Sequence, residues 1–153
     1  MGTQQILMIV LSVIIVGIAV GVGITMFQNQ AKTSNRQALL GDLRNFSSNA
    51  IAFYKIPSSM GGGGNGEPGF AGGTEGAATA GLLSYIGFVD DEGAGTTTYI
   101  NDNGTYTISG QTKTGLTITG QGKEKVGDGF VGAELVIDML LPPGEQIQIQ
   151  NIK

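Results

Sequence analysis

The sequence predicts an α+β protein in which one long N-terminal helix, over about residues 3–55, precedes an antiparallel sheet in residues 96–153. Three observations predict this division. No charged residue lies between Ile6 and Phe27, and a helical repeat of apolar residues continues to Phe53. From Thr96 the apolar residues instead alternate with polar ones, which is typical of strands with one buried face.

The first part of the helix, within residues 1–27, is long enough to cross a membrane. The 22 residues from Ile6 to Phe27 would make a helix of about 33 Å, and the hydrocarbon core of a bilayer is about 30 Å thick. A cleaved secretory signal is one alternative, but the segment lacks a basic start and a clear cleavage site. A permanent single-pass anchor is a second, and it would place the basic residues that follow on the cytoplasmic side.

The helix is expected to continue through residues 28–56 with a single apolar stripe. Apolar residues recur at steps of four, three, four and three, and no proline occurs before Pro57. Pro57 predicts the end of the helix because it disfavours a helical conformation in the preceding residue. This half can pack on a head domain, whereas the uniformly apolar half has no such partner. The stripe consists of Leu39, Leu43, Phe46, Ala50 and Phe53.

Small residues interrupt the apolar half at spacings that favour close contact between helices. Gly17 and Gly21 form a GxxxG pattern, and Ser12, Ala19 and Gly23 add further small side chains. Copies of the same helix could therefore pack against one another here. The glycines could instead loosen the helix locally, because each costs up to about 1 kcal/mol relative to alanine.

The chain resembles a type IV pilin or a related pilin-like subunit. The resemblance lies in the uncharged start QQILMIVLSVIIVGIAVGVGITMF, the amphipathic continuation AKTSNRQALLGDLRNFSSNAIAFY, a glycine-rich loop and a strand-rich end. It implies a structural subunit that is stored in the cytoplasmic membrane and then polymerises into an extracellular filament, with helices in the core and heads on the surface. The implied partners are other copies of the chain, the pilus assembly machinery and the membrane before assembly.

Two features depart from the bacterial pilin pattern. Bacterial pilins usually carry glutamate at the fifth mature position, where this sequence, counted from Met1, has Gln5. An amide forms hydrogen bonds but contributes no charge. The short basic leader that the family removes after a glycine is not visible, so either the sequence begins at the mature residue or the protein keeps its start. Archaeal pilins, which need no such glutamate, are therefore also close relatives to consider.

Two other functions stay open at this point. One is a pseudopilin-like component of a secretion or assembly machine, with the same architecture but a short or transient polymer. The other is a single-pass membrane protein whose head binds a ligand. Formation of an extended polymer distinguishes a filament subunit from the pseudopilin-like component, and detergent-stable monomers with one bound partner would favour the membrane-bound binding protein.

Residues 57–95 are rich in glycine and residues 96–153 in strand patterns. Gly61, Gly63 and Gly66 match GxGxxG, but they follow a helix instead of a strand, so we expect no nucleotide site. AATAGLLSYIGF favours a short helical turn or an apolar cover for the core. TTTYIN and TYTISG flank Asp102-Asn103-Gly104, which predicts a hairpin because Asn-Gly tolerates the positive φ angles of tight turns. LTITG, AELVIDMLL and QIQIQ predict three further strands.

The sequence lacks two of the residue types that enzymes use most often in catalysis. The chain has no Cys and no His, which excludes thiol nucleophiles, Cys/His zinc sites and imidazole acid–base catalysis. We expect no enzyme activity, no cofactor and no metal site. Residues 56–112 carry six acidic residues and no Lys or Arg, so we expect no nucleic-acid partner either.

Two tripeptides match the acceptor pattern for N-linked glycans. They are Asn45-Phe46-Ser47 and Asn103-Gly104-Thr105. Asn103 is the better candidate from sequence because it lies in a predicted exposed turn.

Overall fold

In a computed structural model, helix α1 spans Thr3–Lys55 and a five-stranded antiparallel sheet follows it, which confirms the α+β prediction. The structure describes residues 2–66, 69–70, 77–89 and 96–152. Met1, whose retention the sequence left open, lies outside these residues, as do parts of the glycine-rich region. The strands are β1 (Thr98–Ile100), β2 (Gly104–Ser109), β3 (Gly115–Val126), β4 (Gly129–Asp138) and β5 (Ile147–Ile152).

The chain divides into two compact units, residues 1–34 and residues 35–153. In the first unit the described residues from Thr3 onward all belong to α1. The second unit contains the rest of α1, a short 3-10 helix (Ser58–Met60), helix α2 (Ala77–Ile86) and the sheet. We call residues 6–27 the apolar segment and the second unit the head.

The glycine-rich loop caps the C-terminal end of α1. A helix leaves its last carbonyl groups without intrahelical partners. The amide of Gly63 donates to the carbonyl of Phe53 at 2.9 Å, and that of Asn65 donates to the carbonyl of Tyr54 at 2.8 Å. Gly63 lies so close to the helix that an added Cβ would be 2.9 Å from the Cα of Tyr54. The glycines thus let the loop fold back onto the helix, which ends before Pro57 as predicted.

The predicted apolar stripe of α1 forms one side of the head's core. All five of its residues are buried, four of them at 2% exposure or less. The edge of the Phe46 ring meets the rings of Phe88 and Tyr106, each at 5.1 Å between centroids. The sheet contributes the opposite side of the core through Tyr106, Ile108, Leu116, Ile118, Val131, Ala133, Leu135 and Ile137, and α2 contributes Leu82, Leu83 and Ile86.

The strands pair in sequence order, so every connection in the sheet is a hairpin. The predicted β1–β2 hairpin forms, but the reason given for it is wrong, because neither Asn103 nor Gly104 has a positive φ. The side-chain Oδ1 of Asn101 instead accepts hydrogen bonds from the backbone amides of Asn103 (2.9 Å) and Gly104 (3.0 Å). Gly104 is needed for a different reason: a Cβ there would collide with the carbonyl oxygen of Gln121.

The β3–β4 hairpin extends further than the sequence patterns indicated. β3 continues through Val126, and β4 begins at Gly129. Gly127 turns the chain with a φ of 61°, a value that suits glycine. The β3–β4 register shifts between Gln121 and Lys125, which marks a bulge. This bulge hides the period-two alternation on which the strand prediction relied.

Candidate assembly surface

The apolar segment offers a large apolar surface that no part of its own unit covers. Its 16 large apolar side chains are all exposed, from 51% for Val10 to 76% for Phe27. Burying one such side chain is worth about 1.5–3 kcal/mol. Monomeric soluble proteins rarely leave contiguous apolar patches of this extent in water. The segment therefore requires an apolar partner outside its unit.

The polar side chains within the apolar segment are compatible with an apolar environment. The hydroxyl of Ser12 donates to the carbonyl of Met8 at 2.8 Å, and that of Thr25 donates to the carbonyl of Gly21 at 2.8 Å. Both hydroxyls are thus satisfied within the helix. By its length and composition, helix α1 is long and apolar enough to cross a membrane.

The small and polar residues singled out in the sequence lie on two opposite sides of the helix. An α-helix turns by about 100° per residue, so residues seven apart lie nearly above one another. On this geometry the GxxxG pair lies about 160° around the helix from Ala19. Close packing is therefore available on two sides, which suits a helix with several neighbours better than a simple pair. One side carries Gln5, Ser12, Ala19 and Gly23, and the other carries Gly17 and Gly21.

The glycines of the apolar segment are not required by the fold of the chain itself. A Cβ added at Gly17, Gly21 or Gly23 would meet no atom within 4 Å outside the local helix backbone. None of the three has a positive φ, and α1 runs through them without a break. The local loosening that the sequence left open is not observed. A need for small residues here would have to come from neighbouring molecules.

Gln5 lies in the first turns of α1, with its backbone amide bonded to the carbonyl of Gly2 at 3.0 Å. Its side chain is exposed, and among the described residues it has no hydrogen-bond partner. A neighbouring copy could supply that partner in an assembly.

Within the head, the carboxylate of Asp42 joins α1 to the β1–β2 hairpin. Its Oδ2 accepts hydrogen bonds from the hydroxyl of Tyr106 (2.5 Å) and from the side-chain amides of Asn103 (2.8 Å) and Asn101 (2.9 Å). The side-chain amide of Asn35 adds a bond to the carbonyl of Asn103 at 2.8 Å. We call Asp42, Asn101, Asn103 and Tyr106 the Asp42 cluster.

The cluster favours an ionised carboxylate and a neutral phenol. Partial burial raises the pKa of Asp42, but the bonds from Asn103, Tyr106 and Asn101 outweigh it and hold the pKa below its ordinary value of 3.8. Burial and the adjacent carboxylate both raise the pKa of Tyr106 above its ordinary value of 10.0. Because one oxygen of the Asp42 carboxylate accepts three hydrogen bonds from the β1–β2 hairpin, the cluster links helix α1 to the sheet.

The structure places the two candidate glycan acceptors in different environments. Asn45 is exposed on α1. Asn103 is half-buried, and its side-chain nitrogen, the atom that would carry a glycan, is the donor to Asp42. Asn45 is the more exposed of the two asparagines, but Phe46 and Ser47 of its acceptor pattern are buried in α1. Glycosylation at either site stays a prediction.

Sequence reasoning missed the Asp42 cluster. Asp42 is the only acidic residue between Lys32 and Lys55, and it lies directly before the buried Leu43 of the apolar stripe. A lone acid beside a buried stripe was a usable signal. Its partners could not be read from the sequence, because they lie 59–64 residues away along the chain.

A scan against models of protein families found no match for this chain. A search of curated proteins and a search of solved structures likewise found no significant match. Its arrangement, a long apolar N-terminal helix followed by an antiparallel sheet, is compatible with the pilin-like fold that the sequence resembles.

Proposed function

We propose that the chain is the structural subunit of a helical, pilus-like filament on the cell surface, and that it polymerises through the apolar segment. The observation that carries this proposal is the exposure of every large apolar side chain between Ile6 and Phe27 in a continuous helix. Such a surface is stable only in lipid or among similar helices. The function would be mechanical and surface-presenting, without enzyme activity.

A permanent membrane anchor would account for the length of the apolar segment, since spanning a bilayer takes about 20 residues, and the apolar stripe from Leu39 to Phe53 of α1 packs in the core of the head. It would not account for the arrangement of the small residues. Small residues on two opposite sides of the segment favour contact with more than one neighbour. In the filament, apolar segments would form the core and the heads the outer wall. The membrane would hold the subunit before assembly, and assembly machinery would move it into the filament.

Electron cryo-microscopy of material sheared from the surface of producing cells tests this proposal. We expect a helical filament with the apolar segments at its axis and continuous helical density through residues 6–55. That map would also show what Gln5 contacts. Chain found only as a monomer in the membrane fraction would contradict the proposal and favour a single-pass binding protein. Short particles confined to a secretion complex would favour the pseudopilin-like role.

A further inference from the structure

The strand β5 forms one edge of the sheet. The strand order ends at β5, and within the described part of the chain no strand pairs with its outer side. The opposite edge is β1, which has only three residues. β5 has six, from Ile147 to Ile152, and is the longer of the two edges.

The register shows which backbone groups of β5 are free. In an antiparallel pair, residues alternate between those bonded to the partner strand and those whose amide and carbonyl groups point away. The amide of Asp138 donates to the carbonyl of Gln146 at 2.9 Å, and Gln148 lies opposite Val136 in the same register. The even-numbered residues therefore bond to β4. Ile147, Ile149 and Asn151 point their backbone groups outward.

The edge lacks the features that usually protect a free strand. Proteins block exposed edges with charged side chains, proline or bulges. Residues 147–152 contain no charge and no proline, and β5 pairs with β4 in one unbroken register. The terminal isoleucines stay accessible, with Ile147 at 40% exposure and Ile152 at 36%.

We propose that β5 pairs antiparallel with β5 of a second copy of this chain, with Gln148 on the two-fold axis. A two-fold contact requires a self-complementary surface. Residues 146–150 read QIQIQ, which is the same in both directions. With Gln148 opposite Gln148, Ile147 lies opposite Ile149 and their outward backbone groups bond. Isoleucines then meet on one face and glutamine amides on the other, so two five-stranded sheets join into one.

The pairing has a consequence for filaments that rests on the proposed function. All subunits of a pilus-like filament point in one direction, so a two-fold contact cannot repeat within it. The contact would instead join heads of two neighbouring filaments that run in opposite directions. The pairing itself needs no filament and can be tested on detergent-solubilised chain.

The absence of cysteine from the sequence allows a direct test by disulfide cross-linking. Full-length Gln148→Cys, Gln150→Cys and Thr107→Cys variants, each changed at an exposed position, are oxidised in detergent and separated on non-reducing gels. On the axis the two Cα atoms lie about 4.5 Å apart, within disulfide range. In the same register the two copies of residue 150 are offset by four residues, or about 13 Å.

We expect about tenfold more cross-linked dimer for Gln148→Cys than for Gln150→Cys or Thr107→Cys, because only the first meets the distance limit. Adding Ile149→Pro to Gln148→Cys should remove the excess, since proline deletes an outward amide but no bond to β4. Circular dichroism checks that this variant is folded. Equal yields at the three positions would overturn the pairing, as would an unchanged yield in the folded proline variant.

Two further measurements separate this inference from the proposed function. A Gly17→Leu/Gln148→Cys variant that forms no filaments but still cross-links supports the pairing without any filament. Wild-type chain that forms filaments while the three thiols cross-link equally would overturn the pairing and leave the filament proposal standing.

Discussion

Leu11 and Leu43 are the same residue type in the same helix, yet Leu11 is 56% exposed and Leu43 is fully buried. The second half of α1 confines its apolar residues to one stripe, which the sheet covers. The apolar segment is apolar on every side, and a single small sheet could cover only one of them. The comparison teaches that the arrangement of apolar residues around a helix predicts whether its partner is the chain's own head or other molecules.

The largest effect is expected from replacing the glycines of the apolar segment by a large side chain. We predict that Gly17→Leu and Gly21→Leu each abolish or widen the filament while leaving the head folded, because the larger side chain prevents close contact between helices. Filaments are counted and measured by electron microscopy, and the head is checked by circular dichroism. Gly41→Leu is the matched control, since an added Cβ there also meets nothing within 4 Å. Normal filaments from both Gly17→Leu and Gly21→Leu would contradict close packing.

A charge at the start of α1 should have the next largest effect. We predict that Gln5→Lys lowers filament yield by about tenfold or more, because burying an unpaired charge costs more than losing one amide. Gln5→Ala should assemble nearly as well as the wild type. Filament mass sedimented per mass of subunit is the measurement. Equal yields from the lysine and alanine variants would show that residue 5 is not buried in the assembly.

The same truncation in the two halves of α1 should affect the stability of the head very differently. Leu43→Ala is predicted to lower its free energy of unfolding by about 2–5 kcal/mol, because it leaves a cavity in the core. Leu11→Ala should change it by less than about 0.5 kcal/mol. Denaturant unfolding of both variants in the same detergent, followed by near-ultraviolet circular dichroism, provides the comparison. Similar losses would mean that the two halves are not energetically separate.

Within the head, the Asp42 cluster should contribute less than the core. Asp42→Asn is predicted to lower the free energy of unfolding by about 1–2 kcal/mol, because it removes the negative charge of the carboxylate that accepts three hydrogen bonds. Asp102→Asn is the matched control, since Asp102 is exposed in the neighbouring turn. Thermal unfolding of the two variants is compared. An equal shift in both would show that the cluster adds no specific stability.

Local patterns predicted much of the fold from the sequence. The stripe from Leu39 to Phe53 predicted both the helix and its buried side, and Pro57 predicted where the helix ends. The hairpin at Asn103-Gly104 was predicted as well, although the Asn101 side chain, and not a positive φ, shapes its turn. Signals that act within a few residues can be read without knowing the tertiary structure.

Features that depend on distant contacts could not be predicted. The bulge between Gln121 and Lys125 concealed the second half of β3. The Asp42 cluster joins residues from α1 and the β1–β2 hairpin that no local pattern connects. The exposed apolar segment was predicted in composition and helicity, and its apolar surface on every side indicates a partner outside the head, but a sequence period does not identify which molecule that partner is.

The pH dependence of the head gives the smallest expected effect and tests the Asp42 cluster specifically. The pKa of Asp42 is lower in the folded chain than its ordinary value of 3.8. The unfolded state therefore binds the proton more tightly. The stabilisation that the cluster provides is present above about pH 4 and is lost as pH falls through the lower pKa of the folded state.

We predict that wild type and Asp42→Asn differ in melting temperature by a constant amount from about pH 7 to 5, and that the difference narrows below about pH 4. Thermal unfolding across this range measures it. A difference in melting temperature that stays constant to about pH 2 would show that the ionised carboxylate of Asp42 does not stabilise the contact between α1 and the β1–β2 hairpin.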